Sequence, residues 1–109
     1  MVTHMPMILH TVNQSPFHSS VLQECLHIAG EFHGVLLLED GVYGALKSNP
    51  QAQSIETATK NVHVKFYLLK DDLKARGLEE INCLTCIRPI DYAEFVNLTT
   101  QYKSVQSWY

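Results

Sequence analysis

The feature that most restricts the fold is an uninterrupted run of branched apolar residues at positions 35–38, with the sequence VLLL. A strand that is apolar at every position must be buried on both faces of its sheet, which is typical of parallel sheets covered by helices. Asp40 and Gly41 follow at once and end the strand. The run is much shorter than the roughly 20 apolar residues of a membrane-spanning helix, so we expect no transmembrane segment.

Strand-like and helix-like stretches alternate along the chain. The stretches with the composition of strands are residues 7–12, 35–38, 62–69 and one or two segments within 81–90. The stretches with helical character are residues 16–29, 42–46, 71–76 and the segment after Asp91, with a weak helix near 51–59. This alternation predicts an α/β fold, an open and mostly parallel sheet of about five strands with helices on both faces, joined by right-handed crossovers.

The length of 109 residues suits one hydrophobic core and is too short for two. We therefore predict a single domain over residues 1–109, with residues 1–6 flexible and 47–61 a variable surface excursion. Residues 1–7 contain neither the basic region nor the apolar stretch of a signal peptide, so the expected location is the cytoplasm.

In open parallel sheets, ligands favour the crevice at the carboxyl ends of the strands. The loops expected there are residues 13–17, 40–43, 70–72 and 89–92. We recognise no catalytic constellation in these loops, and four of their polar residues are interpreted as helix caps: Ser15, Asp40, Asp71 and Asp91. The five glycines are scattered and form no phosphate-binding loop, so no nucleotide or flavin cofactor is predicted.

The three cysteines are too few for a disulfide framework and fit a reducing compartment. Cys25 lies well inside the first predicted helix with apolar neighbours three and four positions away, which favours a packed thiol over an accessible thiolate. Cys83 and Cys86 form a single C-x-x-C that precedes a strand, whereas a redox pair usually opens a helix. A structural zinc ion needs about four ligands, so we interpret the pair as chance and predict no metal site.

The charge of the chain excludes one class of function. The net charge is −3, the pI is about 6.0, and no cluster of Lys and Arg occurs. Phosphate backbones require such a cluster, so we expect no direct contact with nucleic acid.

Several strings in a fixed order point to a known family. They are LHT at 9–11 with SPF at 15–17, EDGVY at 39–43, LKARGL at 73–78, IDY at 90–92 with FV at 95–96, and VQSW at 105–108. Together they resemble the DsrH/TusB family over almost the whole chain. Cys25 coincides with a cysteine that proteins of the DsrH branch carry, so the resemblance is closer to that branch.

The resemblance implies a flavodoxin-like, DsrEFH-like subunit of a heterohexamer with DsrE/TusD-like and DsrF/TusC-like subunits. Such a complex passes persulfide sulfur from sulfur-donor to sulfur-acceptor proteins, and the resemblance implies no cofactor. The TusB branch serves thiolation of the wobble uridine in certain tRNAs, and the DsrH branch serves dissimilatory sulfur oxidation. The sequence leaves the choice of pathway open.

A sister subunit of this family carries sulfur on a cysteine at the start of the helix after the third strand. This chain has Lys70, Asp71 and Asp72 in that neighbourhood, and a carboxylate cannot replace a nucleophilic thiolate. We therefore predict a non-catalytic subunit of a sulfur-relay complex. The alternatives are a self-sufficient thiol or persulfide carrier that uses Cys25 and an enzyme that uses the C-x-x-C pair.

Five residues are candidates for function. Cys25 is the candidate sulfur-carrying thiol, and the candidate interface or docking residues are His10, Asp40, Tyr43 and Trp108. A buried, hydrogen-bonded strand histidine is the competing interpretation of His10. The tail that bears Trp108 is expected either to dock on the helices of its own sheet or to be buried against a sister subunit, and we favour the second.

Overall fold

The computed structural model describes residues 8–109, so the predicted flexibility of residues 1–6 and the start of the first predicted strand lie outside the described residues. The strands are β1 (Ile8–Val12), β2 (Gly34–Leu37), β3 (Lys65–Leu69), β4 (Ile87–Ile90) and β5 (Ser104–Trp108). The helices are α1 (Val21–Ile28), α2 (Ala52–Asn61), α3 (Lys70–Ala75) and α4 (Tyr92–Gln101), with two 3-10 helices at Glu39–Ala45 and Glu80–Asn82.

The five strands form one parallel sheet in the order β4-β3-β2-β1-β5, which confirms the predicted α/β class. The order differs from the 2-1-3-4-5 order of flavodoxin-type sheets, because the last strand lies beside β1 where that order places the second. The tail that bears Trp108 therefore forms β5, the edge strand of the sheet. It pairs with β1 rather than docking on the helices, which corrects one of our two expectations for it.

The strand order explains on which face each helix lies. The steps from β1 to β2, β3 and β4 all run in one direction, and right-handed crossovers then put their helices on one face. The return from β4 to β5 runs in the opposite direction and puts α4 on the other face. The two core clusters agree, because one contains Leu22 of α1, Ile55 of α2 and Leu73 of α3, whereas the other contains Leu98 of α4.

Strand β2 confirms the prediction made from the apolar run. Val35 and Leu37 belong to the core cluster on the face of the sheet that α1 covers, and Leu36 belongs to the cluster on the opposite face, which α4 covers. All three side chains are fully buried. The predicted weak helix within 47–61 is α2, and it contributes the fully buried Ile55 to the core.

The start of the first helix was predicted wrongly. Helix α1 begins at Val21 rather than at Pro16. The hydroxyl of Ser15 instead accepts a hydrogen bond from the backbone N–H of Phe17 at 3.2 Å, which closes a local turn before the helix. Serine side chains that bond the nearby backbone in this way compete with helix formation.

Of the four predicted caps, only Asp91 is confirmed. Its carboxylate accepts the N–H of Glu94 at 2.8 Å, and the carboxylate of Glu94 accepts the N–H of Asp91 at 3.2 Å, which is a capping box. Asp71 lies inside α3, because β3 runs into that helix without a loop. Asp40 lies inside the first 3-10 helix and forms an ion pair with Arg76.

Within residues 8–109, no helix combines the length and apolar character that crossing a membrane requires.

Candidate functional site

The strand order creates a crevice between the carboxyl ends of β3 and β4. The chain leaves β3 into α3 on one face and leaves β4 into α4 on the other, which is the arrangement at which open α/β sheets bind ligands. A cavity of about 550 Å³ lies there, which we call the switch-point crevice. Its polar lining consists of Lys70, Asp71, Lys74, Glu79, Glu80 and Asp91.

The side chains of the switch-point crevice are charged or aliphatic. Among residues 8–109, neither a thiol nor an imidazole lines it, and α3 begins directly at Lys70 with Asp71 as its second residue. Charged groups of both signs can bind a partner surface, but they cannot form a covalent bond to sulfur as a thiolate does. The crevice is suited to docking rather than to sulfur transfer.

A second cavity lies at the carboxyl ends of β1 and β2. It has a volume of about 510 Å³, and we call it the β1–β2 pocket. Its lining residues are Ser15, Phe17, His18, Asp40, Tyr43 and Leu46. The structure thus brings together Asp40 and Tyr43, two of the residues predicted to dock a partner.

Asp40 connects the β1–β2 pocket to α3. Its carboxylate accepts a hydrogen bond from Nε of Arg76 at 2.8 Å, and the Arg76 guanidinium also donates to the backbone oxygen of Asp72 at 3.1 Å. The carboxylate of Asp72 accepts the backbone N–H of Glu39 at 2.7 Å. These bonds hold the first 3-10 helix against α3. The Asp40 side chain is 63% exposed, so its ion pair adds about 1 kcal/mol at most.

The end of β1 contains one tight contact and one unsatisfied acceptor. Gly41 lies so close to β1 that a Cβ atom there would collide with the carbonyl oxygen of Val12, so only glycine fits. The side-chain oxygen of Asn13 is buried and accepts no hydrogen bond within the described residues. Nearly all buried acceptors have a donor, so this position suits a water molecule or an N–H group from outside these residues. No sequence pattern pointed to this acceptor, because asparagine after a strand is a common turn residue.

His10 and Trp108, the other two predicted docking residues, contact each other inside the chain. The indole N–H of Trp108 donates to Nδ1 of His10 at 3.0 Å. On its other side, Nε2 of His10 lies 2.9 Å from Nδ1 of His33, which also accepts the backbone N–H of Gly30 at 3.1 Å. His10 is 1% exposed, so its ring is not available at the surface.

This chain of bonds fixes the tautomer of His10. An indole N–H can only donate, so Nδ1 of His10 is the acceptor and Nε2 carries the proton that is donated to His33. Burial, and then the neighbouring His33, lower the pKa of His10 to about 4. Burial also lowers the pKa of His33. Both rings are neutral near pH 7 and serve to hold β5 and the loop before β2. His33 was missed by the sequence reasoning, because a loop histidine has no pattern that shows which strand it meets.

Cys25 lies in the core on the inner side of α1. Its side chain is fully buried, and burial raises its pKa to about 12. Its thiolate fraction at pH 7 is then on the order of one part in 10⁵, and thiolates rather than thiols accept sulfur. The residue cannot react in this position unless the helix opens.

The C-x-x-C pair has one buried and one partly exposed member. Cys83 is 5% exposed, its thiol contacts the backbone oxygen of Glu79 at 3.7 Å, and burial followed by the charge of Glu80 raises its pKa. Cys86 is partly exposed, and all three cysteines are free thiols. Across residues 8–109, no group of three or more His, Cys, Asp or Glu side chains could hold a metal ion.

Comparison with known families and relatives gives consistent matches. Residues 14–105 match the family described as "DsrH like protein". The protein TusB of Shigella flexneri is 38% identical over 101 residues, which cover 93% of this chain and 100% of the relative. The protein TusB of Escherichia coli O1:K1 / APEC is 37% identical with the same coverage.

Two solved structures have a similar fold. The crystal structure of the YchN protein from Escherichia coli superposes with a TM-score of 0.81 at 20% identity, over 94% of this chain and 99% of that one. The solution structure of protein Tm0979 from Thermotoga maritima has a TM-score of 0.63 at 26% identity, over 86% of this chain and 92% of that one. The likeness to YchN concerns the fold alone.

Proposed function

Because this chain belongs to the DsrH-like protein family, we propose that it is a non-catalytic subunit of a cytoplasmic, heteromeric sulfur-relay complex. The complex would pass persulfide sulfur between a donor and an acceptor protein. The chain would form a heterohexamer with DsrE/TusD-like and DsrF/TusC-like subunits and would position them rather than react with sulfur.

The observation that carries this proposal is the chemistry of the switch-point crevice. The topology makes this crevice the expected ligand site, and the start of α3 within it presents Lys70 and Asp71 where a sulfur carrier needs a thiol. Cys25 does not replace that thiol, because it is buried in the core and protonated at neutral pH. A subunit without a reactive thiol at this crevice can dock and orient a partner's thiol.

Asp40 and Tyr43 are the proposed docking residues. They line the open β1–β2 pocket together with Phe17, an apolar side chain that is 46% exposed. Aromatic side chains at a concave surface are typical anchors of protein interfaces. His10 and Trp108 would affect assembly only indirectly, because they contact each other and stabilise the edge strand β5.

Of the two pathways, we propose thiolation of the tRNA wobble uridine before dissimilatory sulfur oxidation. Cys25 made the resemblance closer to the DsrH branch because it coincides with a cysteine of that branch, and its full burial gives this cysteine a packing role that does not depend on sulfur oxidation. The two relatives cited above are both TusB proteins. The tRNA would be bound by a partner, because this chain has a net charge of −3 and no basic cluster along the sequence.

The alternative function is a self-sufficient thiol or persulfide carrier that uses Cys25. It requires α1 to open and expose a thiol that is fully buried in the folded chain. The two functions differ in what the purified single chain can do. The carrier would accept sulfur alone, whereas the proposed subunit would not.

The proposal is tested by co-expression with the DsrE/TusD-like and DsrF/TusC-like subunits and native mass measurement of the product. We expect a complex that contains all three chains, and little or no persulfide-dependent sulfur transfer by this chain alone. Rapid turnover by the single chain would exclude the non-catalytic assignment. Failure of all three chains to associate would exclude the complex.

The docking residues are tested by Tyr43→Ala with Tyr92→Ala as the matched control. Tyr43 lines the β1–β2 pocket, whereas Tyr92 is an exposed residue on α4, across the sheet. We expect Tyr43→Ala to reduce recovery of the complex at least severalfold and Tyr92→Ala to leave it unchanged, with both single chains folded by circular dichroism. Equal recovery for the two variants would contradict docking at this pocket.

A further inference from the structure

A third cavity lies at the opposite end of the sheet, at the amino-terminal ends of β3 and β4. It has a volume of about 430 Å³, and we call it the basal pocket. Its polar lining consists of Thr59, His63, Lys65, Cys86 and Arg88. It is separate from the switch-point crevice and the β1–β2 pocket, and the inference drawn from it does not depend on the function proposed above.

The basal pocket is lined by basic side chains, although the net charge of the protein is negative. The chain as a whole has a net charge of −3, yet Lys65 and Arg88 line this cavity together with His63, and none of the described residues that line it is acidic. Arg88 forms an ion pair with Glu94 at 2.9 Å through one guanidinium nitrogen, and its side chain is 67% exposed. Lys65 has no ion pair among the described residues. The pocket therefore presents donors suited to a carboxylate.

The backbone brings these residues to one end of the sheet. Strands β3 and β4 pair in parallel with Phe66 opposite Ile87, so Lys65 and Cys86, the residues just before these two, lie at the same end of neighbouring strands, and both line the basal pocket. His63 ends the turn after α2 with a φ of 58°, and the N–H of Val64 bonds the Ala58 carbonyl at 3.2 Å, six residues back. This is a common way to end a helix, and it places His63 directly before β3.

Cys86 is the thiol that a solute can reach. Cys25 and Cys83 are 0% and 5% exposed, and burial raises the pKa of each, whereas Cys86 is partly exposed and lines the pocket. Neighbouring cations attract anionic reagents. The cavity is also large enough for a ligand of several heavy atoms.

We propose that the basal pocket binds small disulfides that carry carboxylates, and that Cys86 is reversibly S-thiolated there. The Cys86 thiolate attacks one sulfur of the disulfide R–S–S–R, a new bond forms between Sγ of Cys86 and that sulfur, and the original S–S bond breaks. The electron pair leaves with the thiolate RS⁻, so the disulfide is the oxidant and no other reactant is needed. An anionic thiol reverses the step.

The test compares two disulfides of opposite charge on the intact wild-type chain. Dithiobis(nitrobenzoate) is dianionic and cystamine is dicationic. For each, the rate of labelling is measured on the folded chain and on the urea-unfolded chain, and the labelled residue is identified by peptide mass mapping. We expect one label per folded chain, at Cys86. The anionic-to-cationic rate ratio should exceed that of the unfolded chain by about tenfold at low salt and approach it in about 1 M salt.

Two lysine variants separate the pocket from the overall charge. Lys65→Gln should lower the rate ratio severalfold, whereas Lys70→Gln, an exposed lysine just beyond the other end of β3, should change it by less than about twofold. Cys86→Ser should abolish labelling of the folded chain. The proposal is overturned if the label lies on Cys25 or Cys83, if the folded and unfolded ratios agree, or if both lysine variants have the same effect.

Discussion

Replacement of Trp108 by Phe is expected to destabilise the protein through the buried ring of His10. The substitution removes the indole N–H that donates to Nδ1 of His10 at 3.0 Å. His10 is 1% exposed, so water cannot easily replace the lost donor. A buried acceptor left without a donor costs about 1 to 3 kcal/mol, and the smaller phenyl ring adds a small packing loss. We expect the free energy of unfolding to fall by about 2 kcal/mol, or about 8 °C in melting temperature.

The measurement is urea denaturation at pH 7 followed by far-ultraviolet circular dichroism, because the variant lacks the tryptophan that fluorescence would report. Tyr109→Phe is the matched control. Tyr109 follows Trp108 directly and is 81% exposed, so its substitution should change the free energy of unfolding by less than about 0.5 kcal/mol.

A second readout distinguishes the hydrogen bond from general packing. In the wild-type chain, imidazole nitrogen chemical shifts of His10 should show the proton on Nε2 alone, because Nδ1 accepts from the indole. In Trp108→Phe, Nδ1 of His10 loses its donor and its chemical shift should move to that of an imidazole nitrogen that accepts no hydrogen bond, whereas Nε2 should keep its proton because Nδ1 of His33 still accepts it. If the two variants unfold at the same urea concentration and the Nδ1 chemical shift of His10 is unchanged, the indole bond does not hold β5 in place and our reasoning is refuted.

Three further substitutions or conditions test the structure. His10 and His33 have lower pKa values in the folded chain than in the unfolded one, so the unfolded chain binds more protons as the pH falls. The free energy of unfolding should therefore fall, by about 2 to 3 kcal/mol at most, between about pH 6.5 and about pH 4. Urea titrations across this range measure it, and a free energy of unfolding that does not change with pH would contradict it. Gly41→Ala should cost more than about 2 kcal/mol or prevent folding, whereas Gly30→Ala, whose added Cβ meets nothing closer than 3.8 Å, should cost less than about 1 kcal/mol by the same assay. Asp91→Ala should lower stability by about 1 kcal/mol in thermal unfolding through loss of the capping box, and a melting temperature equal to that of the wild type would contradict this.

The fold class was predictable because it depends on local pattern. The apolar run at 35–38 required a strand buried on both faces, and the structure gives β2 this environment. The position of β5 was not predictable in the same way. Ser104, Gln106 and Ser107 are polar, as an edge strand allows, and the pairing of β5 with β1 depends on the direction of the last crossover rather than on its own sequence.

The cap predictions show where local reasoning ends. Asp91 could be assigned from sequence, because both halves of its capping box lie within four residues. The role of Asp40 could not be assigned in this way, because its carboxylate accepts a hydrogen bond from Arg76, which lies 36 residues further along the chain, instead of capping a helix. The burial of Cys25 could be inferred from its apolar neighbours three and four positions away, and the structure places it in the core.

The pairing of His10 with Trp108 also changes how the family strings are interpreted. These residues lie in the first and last of the strings that resemble the DsrH/TusB family, 98 positions apart, and the sequence offered no reason for both to be present. The structure supplies one, since β1 and β5 are neighbours and the two side chains bond across them. The strings at the chain ends therefore contain residues that hold the last strand in the sheet. Within these strings, the better candidates for docking are residues whose side chains line an open pocket, and in this chain they are Asp40 and Tyr43.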